Sequence, residues 1–396
     1  MTQVTLSEAL ELAVQEHKAN RLDRAEQVYR KILNVQPEQP DALHGLGILA
    51  WQTGKYGLAE NLIRGALKVQ PNAPRTWCDL GAILQKKSNF SEAAIAYQKA
   101  LEIEPNQSAV QNKLGYTLQQ IEEFDRASEC FKKAMELKHS SVEVLKHSPY
   151  ENIYHCCVQK TASQWFRSIF NDRLFYQYTG LVTFPYTQAG LKDARFNRAL
   201  PTQTIATHVY ISYPTYLTIP KPEKYKTFFI ARDPRDIVVS FYFSTKYSHS
   251  LVAYIPKMRK DLEQLSLKDG LKYSIDRLED MGLFAALQSW LKRADTEEKN
   301  IKVFHYEDLA SDNKAFLKNM LDFLEIDMPE EGFSQLYDRH QFKRYTQGRD
   351  RGEEDINSHY RKGESGDWKN YFDESILAYF KQVTKESIGR LGYPES

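Results

Sequence analysis

Four cysteines in 396 residues, Cys78, Cys130, Cys156 and Cys157, are too few for a disulfide framework. None stands in C-x-x-C, so the common redox and zinc spacings are missing, and so is H-E-x-x-H; no metal is expected. Adjacent Cys156 and Cys157 on a strand would face opposite ways, and all four read as reduced core thiols. Charge of one sign is also lacking: 53 Lys+Arg against 52 Asp+Glu leaves +1. That argues against a general nucleic-acid binder and still permits a local basic pocket. No stretch approaches the ~20 apolar residues of a membrane span, and the N-terminus has no basic segment followed by an apolar core. A cytoplasmic chain without a membrane segment is the default expectation. What the chain does have is length and apolar content, 42% hydrophobic over 396 residues, enough for two or three domains with cores of their own.

The first third repeats itself. Ala25, Ala59, Ala93 and Ala127 are 34 residues apart, as are Tyr29, Ile63, Tyr97 and Phe131. Pro37, Pro71 and Pro105 keep the same period, as do Ala13, Gly47, Gly81 and Gly115. Small residues let paired helices approach, the aromatic or aliphatic position fills the space between them, and each proline falls past a second helix that it cannot continue. The pattern resembles the tetratricopeptide repeat (TPR), an α-solenoid of antiparallel helix pairs. About four repeats over residues 1–140 are expected, and the register ends where His139 replaces the proline. Such an array serves either as a groove for a protein or peptide partner or as a dimerising extension of the domain C-terminal to it.

Ser140 to Tyr150 is polar and reads as a boundary. From about residue 150 to 396 the pattern changes. Apolar runs Ile153–Val158, Gln203–Val209, Thr227–Ala231 and Ile301–His305 read as buried strands, separated by helical patterns over Gly270–Arg293 and Lys314–Ile326. Alternating strands and helices predict an α/β domain with a central parallel sheet covered on both faces, whose ligands sit beyond the strand C-terminal ends. After the first run come Gln159, Lys160, Thr161, Ala162, Ser163 and Gln164, then a helical run from Trp165. A strand, a tight loop and a helix start aim backbone N–H groups and partial positive charge at one point, and Lys160 adds a full charge. Taken alone, this stretch is either an anion site or an ordinary turn with a surface lysine. After the third run come Arg232, Asp233 as an N-cap, Pro234 as a first helical residue, and Ser240 one turn and more along the new helix. Thr207-His208, Tyr306-Glu307-Asp308 and the run Arg361 to Asn370 complete the set.

In this order and spacing the residues resemble the sulfotransferases that use 3′-phosphoadenosine 5′-phosphosulfate (PAPS). That family carries P-K-[ST]-G-T-[ST]-W after its first strand, then a T-H pair, an arginine followed eight residues later by a serine, Y-E-D, and R-K-G-x-x-G-D-W-K-N. The last segment is complete here from Arg361 to Asn370. The loop departs from the pattern at Gln159, Ala162, Ser163 and Gln164, and Ala162 fits the glycine position without strain only at negative φ.

The resemblance implies a P-loop-like sulfotransferase domain moving a sulfuryl group from PAPS to a hydroxyl acceptor, without a metal. Lys160 and the N–H groups from about Thr161 through Ala162, Ser163 and Gln164 to Trp165 would stabilise the leaving phosphate. His208 would take the acceptor's proton. Arg232, Ser240, Arg361, Lys362 and Gly363 would hold the 3′-phosphate, with Trp165 and Tyr306 around the adenine. The acceptor is a small alcohol or phenol, a glycan or a peptide. Aromatic residues of Phe175–Asn197 and Tyr247–Leu265, among them Tyr176, Tyr178, Phe184, Tyr186, Tyr247 and Tyr254, are expected to wall its pocket, and residues 341–360 to form a mobile lid or a partly disordered loop. Two other readings stay open: a non-enzymatic scaffold with a degenerate nucleotide domain, and a kinase, which the absence of G-x-x-x-x-G-K-[ST] disfavours.

Overall fold

A computed structural model describes residues 5–138, 142–185, 191, 199–249, 255–293, 298–385 and 393. The chain divides into two compact units, Met1–Ser141 and Val142–Ser396. His139 and Ser140, where the sequence places the end of the repeat, lie outside the described residues.

The first unit is a series of antiparallel helix pairs: α1 Leu6–Lys18 with α2 Leu22–Val35, α3 Pro40–Gln52 with α4 Tyr56–Val69, α5 Pro74–Lys86 with α6 Phe90–Ile103, and α7 Ser108–Gln120 with α8 Phe124–Lys138. Pro37, Pro71 and Pro105 lie in the turns after α2, α4 and α6. Three of the four pairs use one device. A Cβ on Gly47 would meet Ile63 at 2.9 Å, on Gly81 it would meet Tyr97 at 2.7 Å, and on Gly115 it would meet Phe131 at 2.7 Å. The large side chain of the second helix thus rests on bare backbone of the first. The alanines of the period, Ala25, Ala59, Ala93 and Ala127, are fully buried.

The second unit is built on a five-stranded parallel sheet in the order β2-β3-β1-β4-β5. Its strands are β1 Asn152–Cys157, β2 Val182–Pro185, β3 Thr204–Tyr210, β4 Tyr225–Ala231 and β5 Ile301–His305. Four of these fall on the apolar runs. Strand β2 was not anticipated, because it is four residues long and ends on a proline that only an edge tolerates. Gly270–Arg293 is not one helix but two, Leu267–Asp280 and Leu283–Leu291, broken where Gly282 takes φ 79°. The second helical pattern runs Asn313–Phe323.

Both faces of the sheet are covered. Phe228 of β4 packs with Phe166, Phe170 and Phe304 on one side. Its neighbour Phe229 points the other way and stacks on Trp290 at 4.8 Å. Cys156 and Cys157, neighbours on β1, are free and fully buried. From β1 the chain proceeds to β2 and β3 on one side, then crosses to β4 and β5 on the other. The reversal lies at β1 and β4, and ligands in open α/β sheets bind beyond such a pair.

Candidate active site

The loop after β1 leads into helix α9, Ser163–Phe170. The turn is tight enough to need two left-handed residues, Lys160 at φ 68° and Ala162 at φ 61°. The negative φ that would leave Ala162 unstrained is therefore not found. A left-handed non-glycine costs about 1–2 kcal/mol, and such strain gathers at functional sites. Thr161 holds the turn from within: it is fully buried and its hydroxyl donates to the Val158 carbonyl at 2.8 Å. The Trp165 N–H is committed to the Ala162 carbonyl at 2.9 Å, so the donors that α9 offers an anion are those ahead of it, not Trp165 itself. The Trp165 indole donates instead to the His340 carbonyl at 2.7 Å.

Strand β4 delivers Arg232, and every residue of Arg232–Asp236 has work. Arg232 is buried, donates to the Lys160 carbonyl at 2.8 Å and to the Glu364 carbonyl at 3.4 Å, and lies 4.0 Å from the Tyr306 ring centre. Its Nε is buried and lacks a hydrogen-bond partner. Asp233 caps the next helix, Pro234–Phe243, and its N–H donates to Glu307 at 2.9 Å. Arg235, fully buried, pairs with Asp233 at 2.7 Å and stacks 3.6 Å from the Trp368 ring centre. Asp236 accepts the N–H groups of Gly366 (2.6 Å) and Trp368 (2.9 Å). The strand end thus clamps both the Tyr306 segment and the Arg361–Asn370 segment to the loop after β1.

In that last segment Gly363 and Gly366 take φ 75° and 80°. Gly363 also has no room, since a Cβ would stand 2.6 Å from Phe342. Arg361 and Lys362 are not idle cations: Arg361 pairs with Glu354 and Asp367, and Lys362 with Asp367 at 2.8 Å and Glu364 at 3.5 Å.

These segments enclose a cleft of about 1240 Å³ including its open mouth. Of the residues singled out in the sequence, Lys160, Ala162, Ser163, Gln164, Trp165, Arg232, Ser240, Tyr306, Arg361, Lys362 and Gly363 line it; Thr161 and His208 do not. Lys160, Arg232, Arg351, Arg361 and Lys362 face Glu364 as the sole carboxylate of the described lining. Burial first, then Arg232 and Arg361, lower the Lys160 pKa to about 7. A lysine so crowded is short of an anion.

His208 stands elsewhere. The register of β1 on β3 slips between Tyr154 and Cys156, so Thr207 and His208 oppose the single residue His155. This bulge puts His208 at φ 44°, and its N–H donates to His155 Nδ1 at 3.3 Å. Burial, then the Arg167 charge, lower its pKa to about 4, and its own Nδ1 is buried without a partner.

Several lining residues were missed. Phe342, Tyr345, Arg351, His359 and Tyr360 come from the stretch expected to be a mobile lid. Its backbone is tied at several points: Arg349 donates to the carbonyls of Glu353, Tyr360 and Arg361, Arg351 donates to that of Gly363, and Tyr345 stacks on Tyr360 at 5.0 Å. Its polar composition hid arginines that tie down backbone. The expected acceptor wall also changes. Tyr176 and Phe184 are buried and Tyr178 packs against the core, none of them lining the cleft, while Tyr247 stacks on Phe243. Tyr186 and Tyr254 lie outside the described residues. Among those described, no cluster of three or more His, Cys, Asp or Glu has metal-site geometry, and no helix is long and apolar enough to cross a membrane.

The fold and the cleft define an α/β protein with a five-stranded parallel sheet and a cleft lined by five cationic side chains against one carboxylate among the described residues. The chain belongs to the sulfotransferase-domain family, whose model matches residues 136–392. Tetratricopeptide repeat models match residues 74–107 and 108–139. Among curated proteins it is similar to Sulfotransferase 2A6 of Mus musculus, 28% identical over 179 residues, 43% of this chain and 58% of that one. It is also similar to Sulfotransferase 1 family member D1 of Rattus norvegicus, 27% identical over 166 residues, 40% and 52% respectively. The chain thus spans about half the length of the curated relatives it matches. Among solved structures, MamA from Desulfovibrio magneticus RS-1 is 22% identical over 35% of this chain and 78% of its own, with a TM-score of 0.33. An overlap that small bears on nothing further.

Proposed function

We propose that the α/β unit transfers a sulfuryl group from PAPS to a hydroxyl acceptor. The observation that carries this is the cleft itself, lined by Lys160 and the start of α9 together with Arg232, Ser240, Arg351, Arg361 and Lys362, with Glu364 the sole carboxylate of the described lining. So many cations against one carboxylate suit a nucleotide that carries more than one phosphate. The orphaned Arg232 Nε adds an unmet demand for an acceptor. PAPS, when bound, supplies the activated sulfuryl group and a phosphate as leaving group. The protein's part is positioning and charge. Lys160 and the backbone N–H groups ahead of Trp165 stabilise the negative charge that grows on the bridging oxygen, as an oxyanion hole does. Arg232, Ser240, Arg361, Lys362 and the bare backbone at Gly363 hold the 3′-phosphate. Arg361 and Lys362 then exchange part of their pairing with Glu354 and Asp367 for the nucleotide. Trp165, Tyr306 and Phe342 offer rings to the adenine.

His208, the histidine of the T-H pair, would take the acceptor's proton in this reading, although it stands outside the described lining of the cleft. The repeat unit serves in this reading to bind a protein partner or a macromolecular acceptor.

The non-enzymatic reading draws on one feature, the left-handed Ala162 where the family pattern has glycine. Sulfur-labelled PAPS mixed with a panel of alcohols, phenols, glycans and peptides separates the two. Transfer that is lost in Lys160→Ala supports the enzyme. Tight binding of 3′-phosphoadenosine 5′-phosphate (PAP) with no transfer to any of them supports the scaffold.

A further inference from the structure

Behind the bulge of β3 stands a second imidazole. His155, in the middle of β1, is fully buried among aromatic rings, its centre 4.6 Å from that of Phe166, 5.9 Å from Phe170 and stacked on Phe228 at 4.8 Å. An aliphatic side chain would fill that place with no polar atom to satisfy. The imidazole makes one bond that an aliphatic chain cannot: its Nδ1 accepts the His208 backbone N–H at 3.3 Å. A ring nitrogen that accepts carries no proton, so the proton of the neutral ring sits on Nε2, which is buried and lacks a partner. A buried polar atom left unpaired in a folded protein asks for a reason.

The bulge supplies one. Thr207 and His208 together oppose His155, so one residue of β3 falls out of the regular ladder. His208 is at φ 44°, in the left-handed region that a residue with a side chain enters only at a cost. Its N–H finds an acceptor in the His155 ring. Bulges of this kind re-aim side chains beside active sites. We propose that His155 is a positioning residue for His208: by accepting the His208 N–H it fixes the left-handed bulge and so aims the imidazole that takes the acceptor's proton. The inference rests on the sulfuryl-transfer reading above, with His208 as the base.

In the step that His155 serves, the acceptor oxygen forms its bond to sulfur. The bond from sulfur to the bridging oxygen breaks, and its electron pair stays with the 5′-phosphate. The acceptor's proton passes to His208 and from there to solvent. The His208 Nδ1 is buried, so Nε2 is the nitrogen assigned to that proton. His155 touches neither nucleotide nor acceptor and acts only through the backbone of its neighbour. Burial first, then His208, hold its pKa well below the ordinary histidine value, so the ring stays neutral and Nδ1 stays free to accept. The aromatic cluster thus has two jobs: it packs the core, and it holds one imidazole in the protonation state that braces another.

The test compares wild type, His155→Leu, His155→Asn and His208→Asn in transfer from labelled PAPS to an acceptor of the panel, with PAP affinity by calorimetry. Leucine keeps the packing and removes the acceptor. Asparagine gives up packing but places a carbonyl oxygen near the Nδ1 position. In His155→Leu, kcat is expected to fall about 10- to 100-fold, the scale of a base displaced by about 1 Å, while PAP affinity stays within about threefold and shows that the variant is folded. His155→Asn should melt at a lower temperature than His155→Leu and yet recover most of the lost kcat. A purely structural role predicts the opposite order, with rate following stability. In wild-type protein, nitrogen NMR of the imidazoles should show His155 neutral with its proton on Nε2. A proton on Nδ1, or a His155→Leu that binds PAP and keeps the wild-type kcat, overturns the inference and leaves the sulfotransferase reading intact. Where His155→Leu binds no PAP, His155→Asn decides: a variant that binds PAP but has lost the rate overturns the inference. A His208→Asn enzyme with wild-type kcat overturns both the base and its positioning residue. A wild-type chain that binds PAP but transfers to no acceptor overturns the reading beneath them, and the wild-type arm alone reveals it.

Discussion

The repeat unit and the loop after β1 use small residues for opposite reasons. In the repeats Gly47, Gly81 and Gly115 sit at ordinary helical positions, and what they supply is room: the side chain of the paired helix lies where a Cβ would be. In the loop the demand is conformational. Ala162 holds φ 61° with no glycine to ease it, next but one to Lys160 at φ 68°. A scaffold residue is thus chosen for space, while the site stores backbone strain around its charged group. Space can be read from a period of 34 residues, because every repeat poses the same packing problem. Strain occurs once and leaves no pattern.

The comparison can be broken at either end. The largest effect is expected at the loop. Lys160→Ala should lower labelled-PAPS transfer by 100-fold or more, about 3 kcal/mol of transition-state stabilisation. Calorimetry on Arg361→Ala should show PAP affinity reduced about 10- to 100-fold, the scale of a lost charge-assisted hydrogen bond. Unchanged affinity would remove Arg361 from the phosphate site. In the repeats, Gly81→Ala should destabilise by about 1–3 kcal/mol, since Tyr97 is fully buried and cannot retreat. Gly57→Ala in α4 should have the opposite sign, a gain of about 0.5–1 kcal/mol, because its Cβ meets nothing within 4 Å. Denaturant melts of the two variants distinguish space from helix propensity. Last, Ala162→Gly should raise stability by about 1 kcal/mol by relieving the left-handed turn. No gain there would mean that the loop is not strained.

The Lys160 charge also has a pH signature. With its pKa lowered to about 7 in the free protein, an anion that restores it must bring in a proton above that pH. PAP affinity is then greatest below pH 7 and falls as pH rises through 7 and beyond. Calorimetry in buffers of different ionisation enthalpy should show close to one proton taken up at pH 8, and none in Lys160→Ala.

The repeat, the parallel sheet and four of its strands were legible because periodicity and apolar runs are properties of neighbouring residues. Arg361, Lys362 and Gly363 of the cleft were legible because Arg361 to Asn370 is a contiguous segment. What escaped depends on distant partners. Strand β2 exists because β3 offers it an edge. The wall at residues 349–363 is fixed by arginine contacts to carbonyls up to twelve residues away, so its polar composition read as a lid. Tyr176 and Phe184 belong to the core rather than to a pocket because the sheet and its helices close over them. The bulge at His208 arises from the pairing of β3 with β1, and a T-H pair in a strand gives no sign of it.

The most direct test follows the sulfur. Wild-type protein and Lys160→Ala are incubated with sulfur-labelled PAPS and the acceptor panel, label is followed from the PAPS fraction to the acceptor fraction, and PAP is quantified separately. The account predicts label moving to at least one hydroxyl acceptor with wild type, with PAP formed in equal amount, and a loss of 100-fold or more in Lys160→Ala. PAP bound tightly in the cleft with no labelled acceptor from any member of the panel, or transfer that Lys160→Ala leaves unchanged, would contradict it.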